Sequence, residues 1–196
     1  MTSLRLIILT FSGLLAGCSS LAGLEPRPPA PPVGSRPSIS QRSVPLNGSG
    51  GQVLGSVTLR QGPSGLLLTI EGQEWPQGWH GVHLHGVGTC ETPAFTSAGS
   101  HVNHAPAARP HGLMNWDGGP DGGDLPNVYA HADGTARAEL LLPVTAASSL
   151  ADLLDEDGLA LVVHVAADDH QSQPIGGAGA RMACAVLIAP AVAAED

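Results

Sequence analysis

Short strand-like segments, separated by turns rich in glycine and proline, recur along most of this chain and restrict its fold more than any other feature. They lie at 52–60, 66–72, 135–143, 159–167 and 180–190. Segment 148–158 alone has the pattern of a short helix. Many short strands with almost no helix predict an all-β domain, built as an antiparallel sandwich or barrel. Because only 3% of the residues are aromatic, the core is predicted to consist of Val, Leu, Ile and Ala.

Two long connections, at 89–124 and 167–179, interrupt the succession of strands. Each begins just after a segment that carries histidine. Long ordered loops within a compact domain usually serve function, so we predict that both loops contribute to a site.

The N-terminal 50 residues are predicted to lie outside the folded domain. Residues 1–17 combine Arg5 with a short apolar run, which is the layout of a secretory signal peptide. The sequence LAGC at 15–18 resembles a bacterial lipobox, so Cys18 is expected to become the lipidated first residue of the mature chain. Ordinary cleavage near Ala22 is the alternative. Residues 18–50 are rich in proline and are predicted to form a disordered tether, followed by the domain at 51–192.

Charge and cysteine content limit the partners and the compartment. The chain has 17 acidic and 8 basic residues, and removal of Arg5 with the signal leaves 7 − 17 = −10. No basic patch is present, so nucleic acid is not an expected partner. If Cys18 is lipidated, Cys90 and Cys184 remain, and an even remainder in an exported domain suggests one disulfide.

The segment HGVHLHGVGTC at 80–90 contains the strongest signal for a metal site. Side chains alternate between the two faces of a strand, so His83 and His85 share one face while Val82 and Leu84 share the other. Two imidazoles about 7 Å apart on one face can converge on a single ion. The alternative for an isolated pair is two exposed polar residues. His80 is an odd number of positions from His83 and is expected to face away.

Further potential ligands follow this pair along the chain. Imidazole suits copper and zinc, and carboxylate oxygens can also bind zinc. His164 interrupts an apolar run, where a buried neutral imidazole with hydrogen bonds is the alternative to a ligand. His131 and His170 have no motif role and are predicted to be exposed. The other candidates in the first long loop are His101, His104, His111, Asp117, Asp121 and Asp124.

Five motifs in order resemble those of the copper–zinc superoxide dismutases. They are HGVHLHGVGTC, SAGSHVN, GGDLPN, LVVHVAADD and GGAGARMACAV, and they span most of residues 51–190. The resemblance implies an immunoglobulin-like Greek-key β-barrel or sandwich of about eight antiparallel strands with two long functional loops. It also implies a disulfide between Cys90 and Cys184.

The resemblance further implies a role for each motif residue. Asp168 would link a copper histidine to a zinc histidine, and Arg181 would attract and dock the anionic substrate beside copper. His101 would bridge the two metals and accept a proton during the reaction. The implied copper ligands are His83, His85, His101 and His164, and the matching zinc ligands include His101, His111 and Asp124.

The zinc site departs from the family pattern at Asp121, where the family normally has a histidine. If zinc binds, its ligands are expected to be His101, His111, Asp121 and Asp124. A weak or empty zinc site is slightly favoured over an occupied one, and His104 could substitute for the missing histidine.

The resemblance implies an exported superoxide dismutase that converts superoxide to oxygen and hydrogen peroxide by copper redox cycling. Its expected location is the bacterial cell envelope, with a lipid anchor on Cys18. A non-enzymatic envelope copper-binding protein on the same fold is the alternative. A zinc hydrolase is disfavoured because no HExxH helix is present.

The sequence allows a homodimer but shows no interface stripe. Because segment 167–179 contains no lysine, long-range steering of the anion is expected to be weak.

Overall fold

The structure is a computed structural model that describes residues 41–62, 65–103, 109–143 and 155–191. The predicted signal peptide, Cys18, most of the tether, His104 and most of the predicted helix lie outside these ranges. The described part of the chain contains no helix long and apolar enough to cross a membrane. Its nine strands are β1 Arg42–Gly48, β2 Val53–Gly62, β3 Gly65–Gly72, β4 Gly78–His80, β5 Val82–His85, β6 Val128–Ala130, β7 Ala136–Pro143, β8 Leu159–His164 and β9 Arg181–Ile188.

All nine strands form one antiparallel sheet that curls into a nearly closed barrel. Their order is β4-β6-β7-β3-β2-β1-β9-β8-β5, so the two end strands are neighbours in sequence, separated only by Gly81. The Gly81 N–H donates to the carbonyl of Ala166, and the N–H of His164 donates to the carbonyl of Gly81, both at 2.8 Å. The predicted all-β barrel of about eight antiparallel strands is thereby confirmed.

The first strand corrects the predicted boundary between tether and domain. Residues 42–48 were predicted to belong to the tether, but they pair with β2 and, at Asn47 and Gly48, with β9. Pro45 lies where β1 pairs only with β2, next to a shift in register. Proline is tolerated at sheet edges and bulges, so the proline content of this segment did not prevent a strand.

Alternation along the strands creates the core. Leu66, Leu68 and Ile70 of β3 are fully buried, and Leu84 and Leu161 join the same cluster. Burial of such side chains stabilises the fold by about 1.5–3 kcal/mol each. The cluster consists of aliphatic side chains with the single aromatic Trp75 among its buried members, as the composition predicts.

The predicted disulfide between Cys90 and Cys184 is confirmed. It joins the first long loop to β9 across 94 residues of sequence, with the two Cα atoms 5.7 Å apart. A loop of this length corresponds to a chain-entropy stabilisation of about 4–5 kcal/mol. The bond therefore fixes the start of the first loop against the wall of the barrel.

Candidate metal centre

The site lies on β5, where both edges of the strand are paired. One edge pairs with β8, opposite Ala160 and Val162. At the other edge, the N–H of Leu84 donates to the Gly123 carbonyl at 2.8 Å, and the N–H of Val102 donates to the Leu84 carbonyl at 2.9 Å. A Cβ on Gly123 would lie 2.3 Å from the Leu84 carbonyl oxygen, so this approach requires glycine. The first long loop is thus laid directly along the histidine strand.

This pairing sets opposite each other residues that are distant in the sequence. His83 forms a β-bridge with Asp124, and His85 forms one with His101. All four residues of β5 are buried, Val82 and Leu84 in the core and the histidines beneath the loop.

Six buried imidazole nitrogens have no hydrogen-bond partner among the described residues, and four of them belong to rings that cluster around β5. The ring centroids of His83 and His101 are 4.2 Å apart, and those of His83 and His164 are 4.9 Å apart. An unpaired buried nitrogen is costly unless it has a ligand. Neutral imidazole is a preferred ligand of copper, so this set fits a copper ion. The four atoms are His83 Nδ1, His85 Nε2, His101 Nε2 and His164 Nε2.

The second nitrogen of each strand histidine is held by an oxygen acceptor, which fixes the tautomer. His85 Nδ1–H donates to the Gly99 carbonyl and His164 Nδ1–H donates to the Gly179 carbonyl, both at 2.9 Å. His83 Nε2–H donates to Asp168 Oδ2 at 2.9 Å. Such partners orient the ring and leave the other nitrogen available to a metal.

A second group of potential ligands lies on the far side of His101. His101 Nδ1 is 3.0 Å from Asp121 Oδ2 and 3.7 Å from Asp124 Oδ1, while His111 Nδ1 contacts Asp124 Oδ1. One donor atom from each of these four residues lies within 4.8 Å of the others. Two imidazoles and two carboxylates can complete a tetrahedral zinc site. The structure therefore brings Asp121 together with His101, His111 and Asp124.

Backbone amides hold both carboxylates in the orientation that this second site needs. Asp124 Oδ2 accepts hydrogen bonds from the N–H of Gly112 at 2.7 Å and of Asp121 at 2.9 Å. Asp121 Oδ1 accepts from the N–H of Gly123 at 2.9 Å. The remaining oxygen of each carboxylate faces the histidines.

Asp168 joins the two groups of ligands. Its Oδ2 accepts from His83 at 2.9 Å, and its Oδ1 accepts from His111 Nε2 at 3.1 Å. The carboxylate is fully buried. One side chain from the second loop thus orients a histidine of each metal group.

Burial and charge determine the protonation of the histidines. Burial lowers the pKa of His85 to about 2 and that of His164 to about 4, and it also lowers the pKa of His83. These rings are therefore neutral, as metal ligands must be. For His111, burial lowers the pKa, but hydrogen bonds to Asp124 and Asp168 outweigh it and raise the pKa to about 10. Metal binding at the second group must displace that proton.

Arg181 lines an open pocket next to the first group of histidines. Its Nη1 donates to the Phe95 carbonyl at 2.5 Å and its Nη2 donates to the Gly99 carbonyl at 2.7 Å. The pocket has a volume of about 930 Å³, and His85, His101 and His164 also line it. An anion entering the pocket meets a fixed guanidinium next to the candidate copper ligands.

Several other sequence expectations have clear outcomes. His80 is buried and does face away: its Nδ1 lies 2.8 Å from the His164 carbonyl, and its Nε2 lies 2.8 Å from the Pro76 carbonyl. His131 is exposed as predicted, and Asp117 is exposed outside both groups. The prediction that His170 is exposed is wrong, because only 21% of its side chain is accessible and it packs against Asp168.

Sequence reasoning missed Asn127 and the carbonyl groups of Gly99 and Gly179. Asn127 lies in the GGDLPN motif, which offered a signal, and its side chain bonds the backbone of Asp168. The two carbonyls had no signal in the sequence, because every residue has a backbone carbonyl.

Comparisons with known proteins agree with the fold and with the family resemblance. The family model of copper/zinc superoxide dismutase (SODC) matches residues 53–187. The chain is 49% identical over 140 residues to the superoxide dismutase [Cu-Zn] of Caulobacter vibrioides, covering 70% of this chain and 79% of that one. It is 33% identical over 195 residues to the superoxide dismutase-like protein YojM of Bacillus subtilis, covering 94% and 95%. The solved Cu/Zn superoxide dismutase of Brucella abortus is 28% identical with a TM-score of 0.60, covering 76% and 99%.

The chain belongs to the copper/zinc superoxide dismutase family. That family consists of oxidoreductases, and the resemblance identified from the sequence motifs is confirmed.

Proposed function

We propose that this protein is a copper-dependent superoxide dismutase in which His83, His85, His101 and His164 hold the copper. The observation that carries the proposal is a group of histidine donor atoms beside the pocket that Arg181 lines. One donor atom each of His83, His85 and His164 lies within 4.8 Å of the others, and the ring of His101 with its unpaired Nε2 is 4.2 Å from that of His83. Bound copper would supply one-electron redox chemistry, so that two superoxide anions and two protons give one oxygen and one hydrogen peroxide. The residues of the chain attract the superoxide anion, position it and supply a proton.

Arg181 attracts and positions the anion. Two backbone carbonyls anchor its guanidinium, and the described residues place no carboxylate within 4.0 Å of it, so its charge remains available. A local positive charge in a pocket is needed because the chain as a whole is strongly negative.

His101 is the residue placed to handle a proton. Its Nδ1 faces Asp121 and Asp124, whose hydrogen bonds and charges outweigh burial and raise the His101 pKa. Its Nε2 has no hydrogen-bond partner among the described residues and belongs to the proposed copper group, and the residue lines the pocket. A proton held at Nε2 would lie next to the anion docked at Arg181.

The second group supports an occupied zinc site with Asp121 in the place of the usual histidine. The sequence slightly favoured a weak or empty site, but four converging donors and amide-fixed carboxylates are the reason to propose occupation. The site would carry one more negative charge than a three-histidine, one-carboxylate site.

The proposed location is the bacterial cell envelope, with the mature chain anchored through a lipid on Cys18. The support is the leader-like sequence and the lipobox-like LAGC. The disulfide agrees with an oxidising compartment. A homodimer remains a prediction from the sequence.

Metal content and activity, measured on the same purified full-length protein, test the proposal. We expect copper and zinc near one equivalent each and catalytic removal of superoxide that a copper chelator abolishes. Copper binding without dismutation would instead support the non-enzymatic copper-binding alternative. The variant Asp121→His is the matched control for the second site. Loss of zinc from the native chain but retention in Asp121→His would contradict Asp121 as an adequate ligand.

A further inference from the structure

His170 provides a third imidazole next to the carboxylate of Asp168, in addition to His83 and His111. The ring Nδ1 of His170 lies 3.4 Å from Asp168 Oδ2. The backbone N–H of His170 donates to Asp168 Oδ1 at 2.6 Å. The Nδ1 atom is buried and has no hydrogen-bond partner among the described residues. The imidazole thus places an otherwise unused nitrogen close to Asp168, the residue that links the two candidate metal groups.

The hydrogen bonds of Asn127 determine which nitrogen of His170 carries the proton. The backbone N–H of Asp168 donates to Asn127 Oδ1 at 2.9 Å, so the other amide atom is the nitrogen. That Nδ2 donates to the Asp168 carbonyl at 2.7 Å and approaches His170 Nε2 at 3.2 Å. Because the Asn127 amide can only donate there, His170 Nε2 accepts, and Nδ1 bears the hydrogen.

The hydrogen on His170 Nδ1 therefore lies near an anionic oxygen. At 3.4 Å the contact is longer than a normal hydrogen bond, but it brings a donor dipole to a fully buried carboxylate. The same Oδ2 accepts from His83, so a change in this contact would alter the orientation of a copper-side imidazole.

We propose that His170 is a positioning residue, which holds the Asp168 carboxylate in the plane that serves His83 and His111 together. The inference rests on the proposed function in that these two histidines are taken to be metal ligands. It assigns a role to a residue that no sequence motif singled out. Asn127 supports it by fixing both the tautomer of His170 and the backbone of Asp168.

A purely backbone role for His170 is the competing explanation. The residue has a left-handed conformation, with φ of 61°, which is unusual for a residue other than glycine. Its carbonyl accepts from the Met114 N–H at 3.0 Å and lies so close to Gly112 that a Cβ there would be 2.3 Å away. His170 therefore also joins the two long loops, and a test must separate the side chain from the backbone.

Three substitutions make this separation in the full-length, metal-loaded protein. His170→Asn keeps a donor near the position of Nδ1 and tolerates the left-handed conformation. His170→Gly accepts that conformation but has no donor. His170→Leu loses the donor and is strained. The readouts are the rate of metal release to a chromophoric chelator and the visible and electron paramagnetic resonance spectra of Cu(II).

We expect His170→Asn to release metal at a rate within about twofold of that of the native protein. The Gly and Leu variants should release metal about tenfold faster than the native protein, as is typical when a residue that orients metal ligands is lost. The Cu(II) spectrum should change in the latter two. Native behaviour of His170→Gly would overturn the proposal and leave the backbone role, even if His170→Leu did not fold. These readouts do not depend on superoxide turnover. A protein without dismutase activity whose metal release still follows this order would contradict the proposed function and support the role of His170.

Discussion

Arg181 and His85 donate hydrogen bonds to the same atom, the carbonyl oxygen of Gly99, at 2.7 and 2.9 Å. One backbone carbonyl therefore positions two side chains relative to each other: Arg181, which is proposed to dock the substrate, and His85, a proposed copper ligand. The loop that carries Gly99 is in turn attached to β9 by the disulfide of Cys90. The distance from anion site to copper ligand depends on the backbone more than on side-chain packing.

Replacement of Arg181 should lower the rate of superoxide removal with little effect on metal content. We expect kcat/KM to fall about tenfold or more in Arg181→Gln, because attraction by a fixed charge is lost. The kcat/KM of Arg181→Lys should lie between those of the native protein and Arg181→Gln. Lysine keeps the charge but cannot bond both backbone carbonyls in the way that the guanidinium does. Arg137→Gln, which makes the same charge change outside the pocket, is the control. An equal loss in that control would contradict a specific role for Arg181.

Replacement of Asp168 should weaken both metal sites at once. In Asp168→Asn, His83 and His111 lose a shared anionic acceptor, so metal affinity should fall about 10–100-fold at each site. Competition with chelators measures both affinities. Asp169→Asn is matched in charge and neighbouring in sequence, and its carboxylate bonds only Gln171 and Ser172 among the described residues. Loss of copper alone would show that Asp168 does not connect the sites.

The metal-free protein should be most stable near pH 6.5–7. His111 has a pKa raised from 6.5 to about 10, so its stabilisation is complete below pH 6.5 and is lost as the pH rises through 10. His164 has a pKa lowered to about 4, so stability falls as the pH drops from 6.5 towards 4. Urea midpoints between pH 4 and 10 measure this. A midpoint that rises steadily up to pH 10 would contradict the His111 contribution.

Removal of the disulfide should reduce both stability and activity. We expect Cys90→Ala with Cys184→Ala to lose about 4–5 kcal/mol of unfolding free energy, from the entropy of the 94-residue loop. Activity should fall further than metal content, because Phe95 and Gly99, which hold Arg181, lie on the loop that is released. Denaturant unfolding of native and variant holoprotein measures the first effect. Native activity in the double variant would show that the loop is positioned without the bond.

The rate should depend only weakly on ionic strength. The described part of the second loop contains no Lys or Arg, and the described pocket residues with a fixed positive charge are Arg109 and Arg181. Steering over long distances needs an extended positive field, which salt would screen. Rates measured between low and physiological salt test this. A steep fall with added salt would contradict weak steering.

The fold and the clustering of the candidate ligands were predictable because each rests on a local pattern. The alternation in β5 and the glycine–proline turns predict faces and strands without knowledge of the rest of the molecule. The start of β1 was mispredicted because its proline content outweighed its alternation, and the pairing with β9 that stabilises it joins distant segments.

The environment of His170 could not be derived in this way. Its accessibility depends on two loops meeting, through Met114 and Gly112, and on the amide of Asn127. None of these contacts has a sequence spacing that identifies it. The same applies to Gly99, whose backbone carbonyl orders two functional side chains.

The pairing of Gly123 and Val102 with Leu84 has a consequence for solubility as well as for the site. An uncovered strand edge offers backbone groups to which another chain can add a strand, and this is a common route to aggregation. The first long loop covers that edge of β5 while it delivers His101 and Asp124. In a chain whose loop detached, this strand edge would become exposed in the same event that removed His101 and Asp124 from the candidate metal groups.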